Sequence, residues 1–246
     1  MRSYTTAQLI GDRSHQCDAT AVFTTPTGAS AYVLLDGIGS DNSVRDWTRT
    51  AARRLARTAA MRGDAEAGLR ATYDHYATDP DRRSPYAAIP SATAAAIVVV
   101  TVPGKAPTVA WAGDSRAYVL TDGAVTRHSN DHNLRRVYPP CDTHDGGNRN
   151  RITSYLGASG SDDDVRGIYG HPAIESGTLP DGPLRLLLAS DGAYEPHEDA
   201  EHDLADLLTG STRDVARRFV HTAVETARAV EDPYADNATV LVADLT

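Results

Sequence analysis

Apolar positions along the chain fall into two rhythms. Short runs at 21–23 and 31–35, the second ending at Asp36-Gly37, read as strands, and the second is apolar enough to be buried on both faces. After Gly39 the period lengthens. Val44, Trp47, Ala51 and Leu55 recur at spacings of three and four behind a capping Ser40 or Asp41. That pattern predicts a helix lying on a sheet, with Arg45, Arg49, Arg53 and Arg57 mostly off its apolar stripe. A second helix is predicted over 65–76, stopped by Asp79-Pro80. The run TAAAIVVVTV at 93–102 predicts a central strand, followed by strands at 108–111 and 116–120 and a hairpin turn at Thr121-Asp122-Gly123. The polar stretch 129–151, with Pro139-Pro140 and Gly146-Gly147, predicts a long surface flap, and 159–164 an acidic loop. Further strands are predicted at 165–169, 184–189 and 238–245, with helices at 199–208 and 212–230.

Strands outnumber helices, and helices come in sequential pairs, so the expected class is α+β with antiparallel sheet. With 246 residues, no internal repeat and no dividing linker, a single domain spanning 1–246 is expected. Hydrophobic residues at 41% and charged residues at 23% exclude disorder, collagen and coiled coil for the whole chain.

Charge narrows the partners. The chain carries 24 basic and 33 acidic residues, a net charge of −9, and its only lysine is Lys105. Such a balance disfavours nucleic acid, whose backbone needs a basic face. A phosphorylated substrate stays open, because bound cations reverse the local sign. Cys17 and Cys141 make no disulfide framework and have no zinc-type spacing. The opening residues lack a signal-peptide pattern, and no apolar run approaches the roughly 18 residues of a membrane span. A cytoplasmic protein with no membrane contact, acting as a monomer, is the expectation.

The chemistry gathers at Asp-Gly. That dipeptide occurs at 36, 122, 145, 181 and 191; at 122, 145 and 181 it reads as a turn. Asp36 and Asp191 differ, because each ends a long apolar strand, where a carboxylate needs backbone amides or a cation. Asp236 and Asp18 sit just before apolar strands. These four could meet at one edge of a sheet layer, or each could be an ordinary strand-end cap. If they meet, an oxygen-only set suits Mg²⁺ or Mn²⁺, and a binuclear centre would activate water and clamp a phosphoryl group.

The ordered motifs Arg13-x-x-Gln16-Cys17-Asp18, Asp36-Gly37-Ile38-Gly39, Ser91-Ala92-Thr93, Gly113-Asp114-Ser115-Arg116-Ala117-Tyr118, Asn130-Asp131-His132, Ile152-Thr153-x-x-Leu156-Gly157, Ser190-Asp191-Gly192 and Asp236-Asn237-Ala238-Thr239 span nearly the whole chain. In this order they resemble the PP2C-type (PPM) metal-dependent serine/threonine protein phosphatases of bacteria.

The resemblance implies a four-layer αββα sandwich of two antiparallel sheets flanked by helix pairs. It implies that Asp36 bridges two Mn²⁺ or Mg²⁺ ions, that the Gly37 carbonyl binds one, that Asp191 and Asp236 complete the other, and that Asp18 holds coordinated waters. Asp114, with Asp191, matches a weaker third metal position, and Arg13 matches the arginine that grips the substrate phosphate. The implied reaction is in-line attack on phosphorus by cation-activated water without a covalent phosphoenzyme. The implied partners are phosphoserine or phosphothreonine proteins, such as a serine/threonine kinase or its targets.

This sequence departs from the family pattern at Gln16, Cys17, Ile38, Ser40, Asp41 and Ser91. Ile38 stands where relatives often carry a histidine proposed as general acid. Two other readings therefore stay open: a regulatory or binding module of the same fold, and a hydrolase of small phosphate esters with a cleft reshaped by the 129–151 flap. Ser115 and Ser190 read as structural hydroxyls, Cys17 as a buried thiol, Asp162-Asp163-Asp164 as solvated loop charge, and His128 with His132 as loop residues rather than a zinc pair.

Overall fold

A computed structural model describes residues 3–79 and 92–246. Pro80 and Ser91, which figure in the sequence reading, lie outside the described residues.

Two five-stranded antiparallel sheets face each other. The first has the order β1 (Ser3–Leu9), β10 (Ala238–Leu245), β9 (Leu184–Ala189), β6 (Arg116–Thr121), β7 (Ala124–Arg127). The second runs β2 (Ala19–Thr24), β3 (Ser30–Ile38), β4 (Thr93–Thr101), β5 (Thr108–Ala112), β8 (Glu175–Thr178). Helices α1 (Asn42–Arg62) and α2 (Ala65–Ala77) cover the second sheet. The first is covered by α5 (Asp191–Asp199) and α7 (Thr212–Ala227). Among the described residues, three short helices lie in connections: α3 (Leu134–Val137), α4 (Asp162–Tyr169) and α6 (Leu204–Leu207). The expected αββα sandwich is the observed architecture.

Strand periodicity explains the layers. In β4, Ala94, Ala96, Val98 and Val100 join the core under α1 and α2, while Ile97 and Val99 point between the sheets. In β9, Leu184, Leu186 and Leu188 enter the inter-sheet core, and Leu187 and Ala189 pack under α5 and α7. Sandwich-centre strands are buried on both faces, which is why they read as continuous apolar runs. Helix α1 is capped by the Asp41 side chain, which accepts from the amides of Ser43 and Val44 at 2.7 and 3.0 Å, and it ends at Gly63 in the left-handed conformation.

Several expectations fail. Residues 165–169 belong not to a strand but to α4, and the acidic "loop" before them is its start: Ser161 and Asp164 form a capping box, with three aspartates in the first turn. The expected helix at 199–208 starts earlier, at Asp191, and ends at Asp199; only a single turn, α6, follows. Ser-Asp-Gly resembles a turn and Pro196 a breaker, but the amides of Ala193 and Tyr194 bond to the Ser190 carbonyl and launch the helix there. Edge strands β1 and β8 are too polar to stand out as apolar runs, and β10 and β5 recruit them. The flap is not all surface, since Ser129, His132 and Asn133 at its base are buried.

Candidate active site

Of the connections that pass from one sheet to the other, two supply predicted site residues. The β1–β2 connection carries Arg13, Cys17 and Asp18; the turn between β5 and β6 carries Gly113-Asp114-Ser115. Asp36 and Gly37 stand at the end of β3, Asp191 opens α5 behind β9, and Asp236 precedes β10. All seven predicted site residues therefore gather at one end of the sandwich.

Their proximity shows in their electrostatics. Burial raises Asp36 well above the carboxylate range, and Asp191, Asp18 and Asp114 push it further. Burial and Asp191 likewise raise Asp114. Asp18 rises to about 8 through burial, with Asp191 and Asp236 adding to the effect. Asp191 is raised chiefly by burial, with the charge of Asp236 adding to the effect. Four like-charged groups held this way resist ionising together.

Backbone contacts fix the cluster. A Cβ on Gly37 would lie 2.5 Å from the Cys17 carbonyl oxygen and 2.7 Å from the Thr48 hydroxyl, so only glycine lets the end of β3 come this close to the Asp18 turn. That turn is held by the Cys17 amide donating to Asn237 Oδ1 at 2.7 Å and the Asp18 amide donating to Gln16 Oε1 at 3.1 Å. The Cys17 thiol is buried, pushed up by burial, and donates to the Asp41 carbonyl at 3.7 Å. Ser190 Oγ accepts from the Thr239 amide at 3.0 Å, in keeping with a structural hydroxyl.

Two oxygens of Asp18 and Oδ1 of Asp114 are buried without a hydrogen-bond partner; the Ser190 and Thr239 hydroxyls lie near Asp18 but close no bond of normal geometry with it. Buried carboxylate oxygens left this way call for a proton or a cation. Carboxylates and a backbone carbonyl are the donors that Mg²⁺ and Mn²⁺ favour, so the residues fit such ions. Among the described residues, no three His, Cys, Asp or Glu side chains already close on a common point. Asp236 is engaged by Arg13 instead, with Nε and Nη2 donating to its two oxygens at 2.6 Å each.

Above the cluster opens a cleft of about 380 Å³, lined by Arg13, Asp191, Asp236, Arg149, Glu195 and Tyr234 among others. Asp18, Asp36 and Asp114 are not part of its lining. Ile38 is 41% exposed at the end of β3. Glu195 and Arg149 escape the sequence reading. Burial and the nearby Asp191 raise the Glu195 carboxyl to about 8, with Arg149 Nε 3.1 Å away; Arg149 also grips Asp199 at 2.7 and 2.6 Å. Glu195 lies four residues after Asp191, one helical turn on the same face, a signal lost with the start of α5.

No protein-family model and no curated protein matches the sequence. Solved structures do match. A serine/threonine phosphatase from S. agalactiae aligns with TM-score 0.72 at 17% identity, over 100% of both chains. PppA, a regulatory component of the type VI secretion system (T6SS) in Pseudomonas aeruginosa, aligns at 0.69 with 22% identity, over 99% of this chain and 98% of that one. The PPM serine/threonine phosphatase MsPP from Mycobacterium smegmatis, solved with cacodylate, aligns at 0.67 with 23% identity, also over 99% and 98%. The chain has the fold of these three bacterial proteins along its whole length.

Proposed function

We propose that the protein is a metal-dependent phosphatase of phosphoserine or phosphothreonine proteins. The observation that carries this reading is the set of buried Asp18 and Asp114, each with orphaned oxygen, gathered with the half-buried Asp36 and Asp191 at a cleft that also holds Arg13. Asp36, the Gly37 carbonyl, Asp191 and Asp236 would hold two Mn²⁺ or Mg²⁺ ions, Asp18 would orient waters, and Asp114 with Asp191 would hold a weaker third. Such ions, when bound, supply Lewis acidity to water and positive charge to a phosphoryl group.

The remaining work falls to the chain. Arg13 presents a planar fork at the cleft and would release Asp236 to receive two phosphoryl oxygens. The carboxylates would hold the attacking water in place for displacement at phosphorus. No side-chain nucleophile is required, which agrees with a buried Cys17 and with Ser115 and Ser190 both buried.

The closed Arg13–Asp236 pair favours a second reading, a binding module in which that pair persists. Hydrolysis of p-nitrophenyl phosphate and of a phosphothreonine peptide with Mn²⁺, beside EDTA and Asp36→Ala controls, separates the two. Activity lost in both controls supports the enzyme. A folded wild type that binds Mn²⁺ but releases no phosphate supports the module, and comparing the two substrates tests the preference for protein over small esters.

A further inference from the structure

His132 sits at the base of the flap with none of its surface exposed. Its backbone amide donates to the Gly113 carbonyl at 3.0 Å, and its Nδ1 accepts from the Gly113 amide at 3.3 Å. One residue thus grips both peptide groups of Gly113, immediately before Asp114. Gly113 admits no side chain, because its φ is +131° and a Cβ there would lie 2.4 Å from the Ala95 Cβ.

The far side of the ring is fixed as firmly. Nε2 lies 2.9 Å from Glu175 Oε2, and Arg136 holds the same carboxylate through two bonds, at 2.5 and 3.0 Å. An ionised Glu175 only accepts, so Nε2 carries the proton and Nδ1 is the acceptor that Gly113 needs. The ring also stacks on His171 with centroids 4.3 Å apart and planes within 13°. His171 is pinned by the Thr153 hydroxyl and the Pro172 carbonyl, both at 2.8 Å. Tyr194 donates to the Asp114 carbonyl at 3.1 Å, so the peptide after the aspartate is held as well.

We infer that His132 is a positioning residue for Asp114: its Nδ1 fixes the Gly113 peptide, and thereby aims the Asp114 carboxylate into the carboxylate cluster. The inference rests on the reading of Asp114 as a cation ligand. Partners that orient the ligands of a metal are commonly worth tenfold or more in affinity, whereas a ring used only for packing would affect stability alone.

Two near-isosteric substitutions divide the ring's functions. In His132→Asn the side-chain oxygen can replace Nδ1 while the link to Glu175 is lost; in His132→Gln the link can survive while the acceptor facing Gly113 is lost. Mn²⁺ binding to full-length protein, followed by calorimetry and by the spin resonance of free Mn²⁺, is the readout, with Asp114→Asn as reference. The expected result is a roughly tenfold loss at the weakest Mn²⁺ site in His132→Gln. His132→Asn should stay close to wild type, and His132→Gln should add nothing in the Asp114→Asn background. Equal losses in the Asn and Gln variants, or wild-type binding in both, overturn the inference while Asp114→Asn still weakens binding. If Asp114→Asn leaves Mn²⁺ binding unchanged, the assignment of Asp114 falls and the inference with it. Should the Gln variant not fold, weakened binding in the Asn variant alone is sufficient to overturn the inference.

Discussion

Arg13 and Asp236 neutralise each other through two parallel bonds of 2.6 Å. On the proposed reading, in which Arg13 meets phosphate and Asp236 meets a cation, each competes with the other's ligand. Arg13→Ala removes both the competitor and a positive charge beside the cluster, so it should tighten Mn²⁺ binding several-fold. It should also raise KM for a phosphopeptide, by about tenfold or more. Calorimetry and steady-state kinetics on one preparation check the opposite signs; weaker Mn²⁺ binding would contradict the competition.

Asp191 touches most of the cluster electrostatically, raising Asp18, Asp36 and Asp114. Asp191→Asn should lower turnover by about a hundredfold or more, the scale of losing one group that acts on developing charge. The same change relieves like-charge repulsion. Without added metal, the variant should therefore melt higher than wild type, by roughly 2–4 °C per kcal/mol gained. Full activity, or a lower metal-free Tm, would count against the assignment.

Divalent cations should stabilise the fold as well as activate it. Mn²⁺ at about a hundred times its Kd adds roughly 2.7 kcal/mol per site, read as a rise in Tm that EDTA reverses. Asp36→Asn should abolish most of that rise. A Tm indifferent to Mn²⁺ would argue against any cation site of useful affinity.

His197 offers a test of pH dependence away from the carboxylates. It is fully buried, and Nε2 donates to the Phe219 carbonyl at 3.0 Å while Nδ1 faces His202 Nδ1 at 3.0 Å. Burial lowers its pKa from 6.5 to about 4. The unfolded chain thus takes up a proton that the fold refuses. This contribution is complete above pH 6.5 and is lost as pH falls towards 4, amounting to at most about 3 kcal/mol. His197→Gln can keep the bond to Phe219 without titrating, so its stability should fall less between pH 6.5 and 4. Urea unfolding of both proteins at pH 7, 5.5 and 4.5 measures the difference.

The sandwich-centre strands and their flanking carboxylates were legible in one dimension for a simple reason. Strands β3, β4, β9 and β10 are buried on both faces, so their apolar runs stand out, and the aspartates at the ends of β3, β9 and β10 mark where buried chain meets the candidate site. Helices α1 and α7 were legible because one stripe of each is buried while the rest faces solvent.

Elements that draw stability from neighbours were not legible. Strands β1 and β8 exist because β10 and β5 offer edges to pair with, and α5 begins at Asp191, behind its N-cap Ser190, because its Ala193 and Tyr194 pack under the first sheet. Residue order determined which carboxylates, glycines and arginine the chain would bring to its chemistry. Only the tertiary structure decided that Arg13 closes on Asp236, that Glu195 and Arg149 share their cleft, and that His132 holds Gly113. Each of those contacts joins segments distant in sequence, and burial and charge act between them only after the two sheets have met.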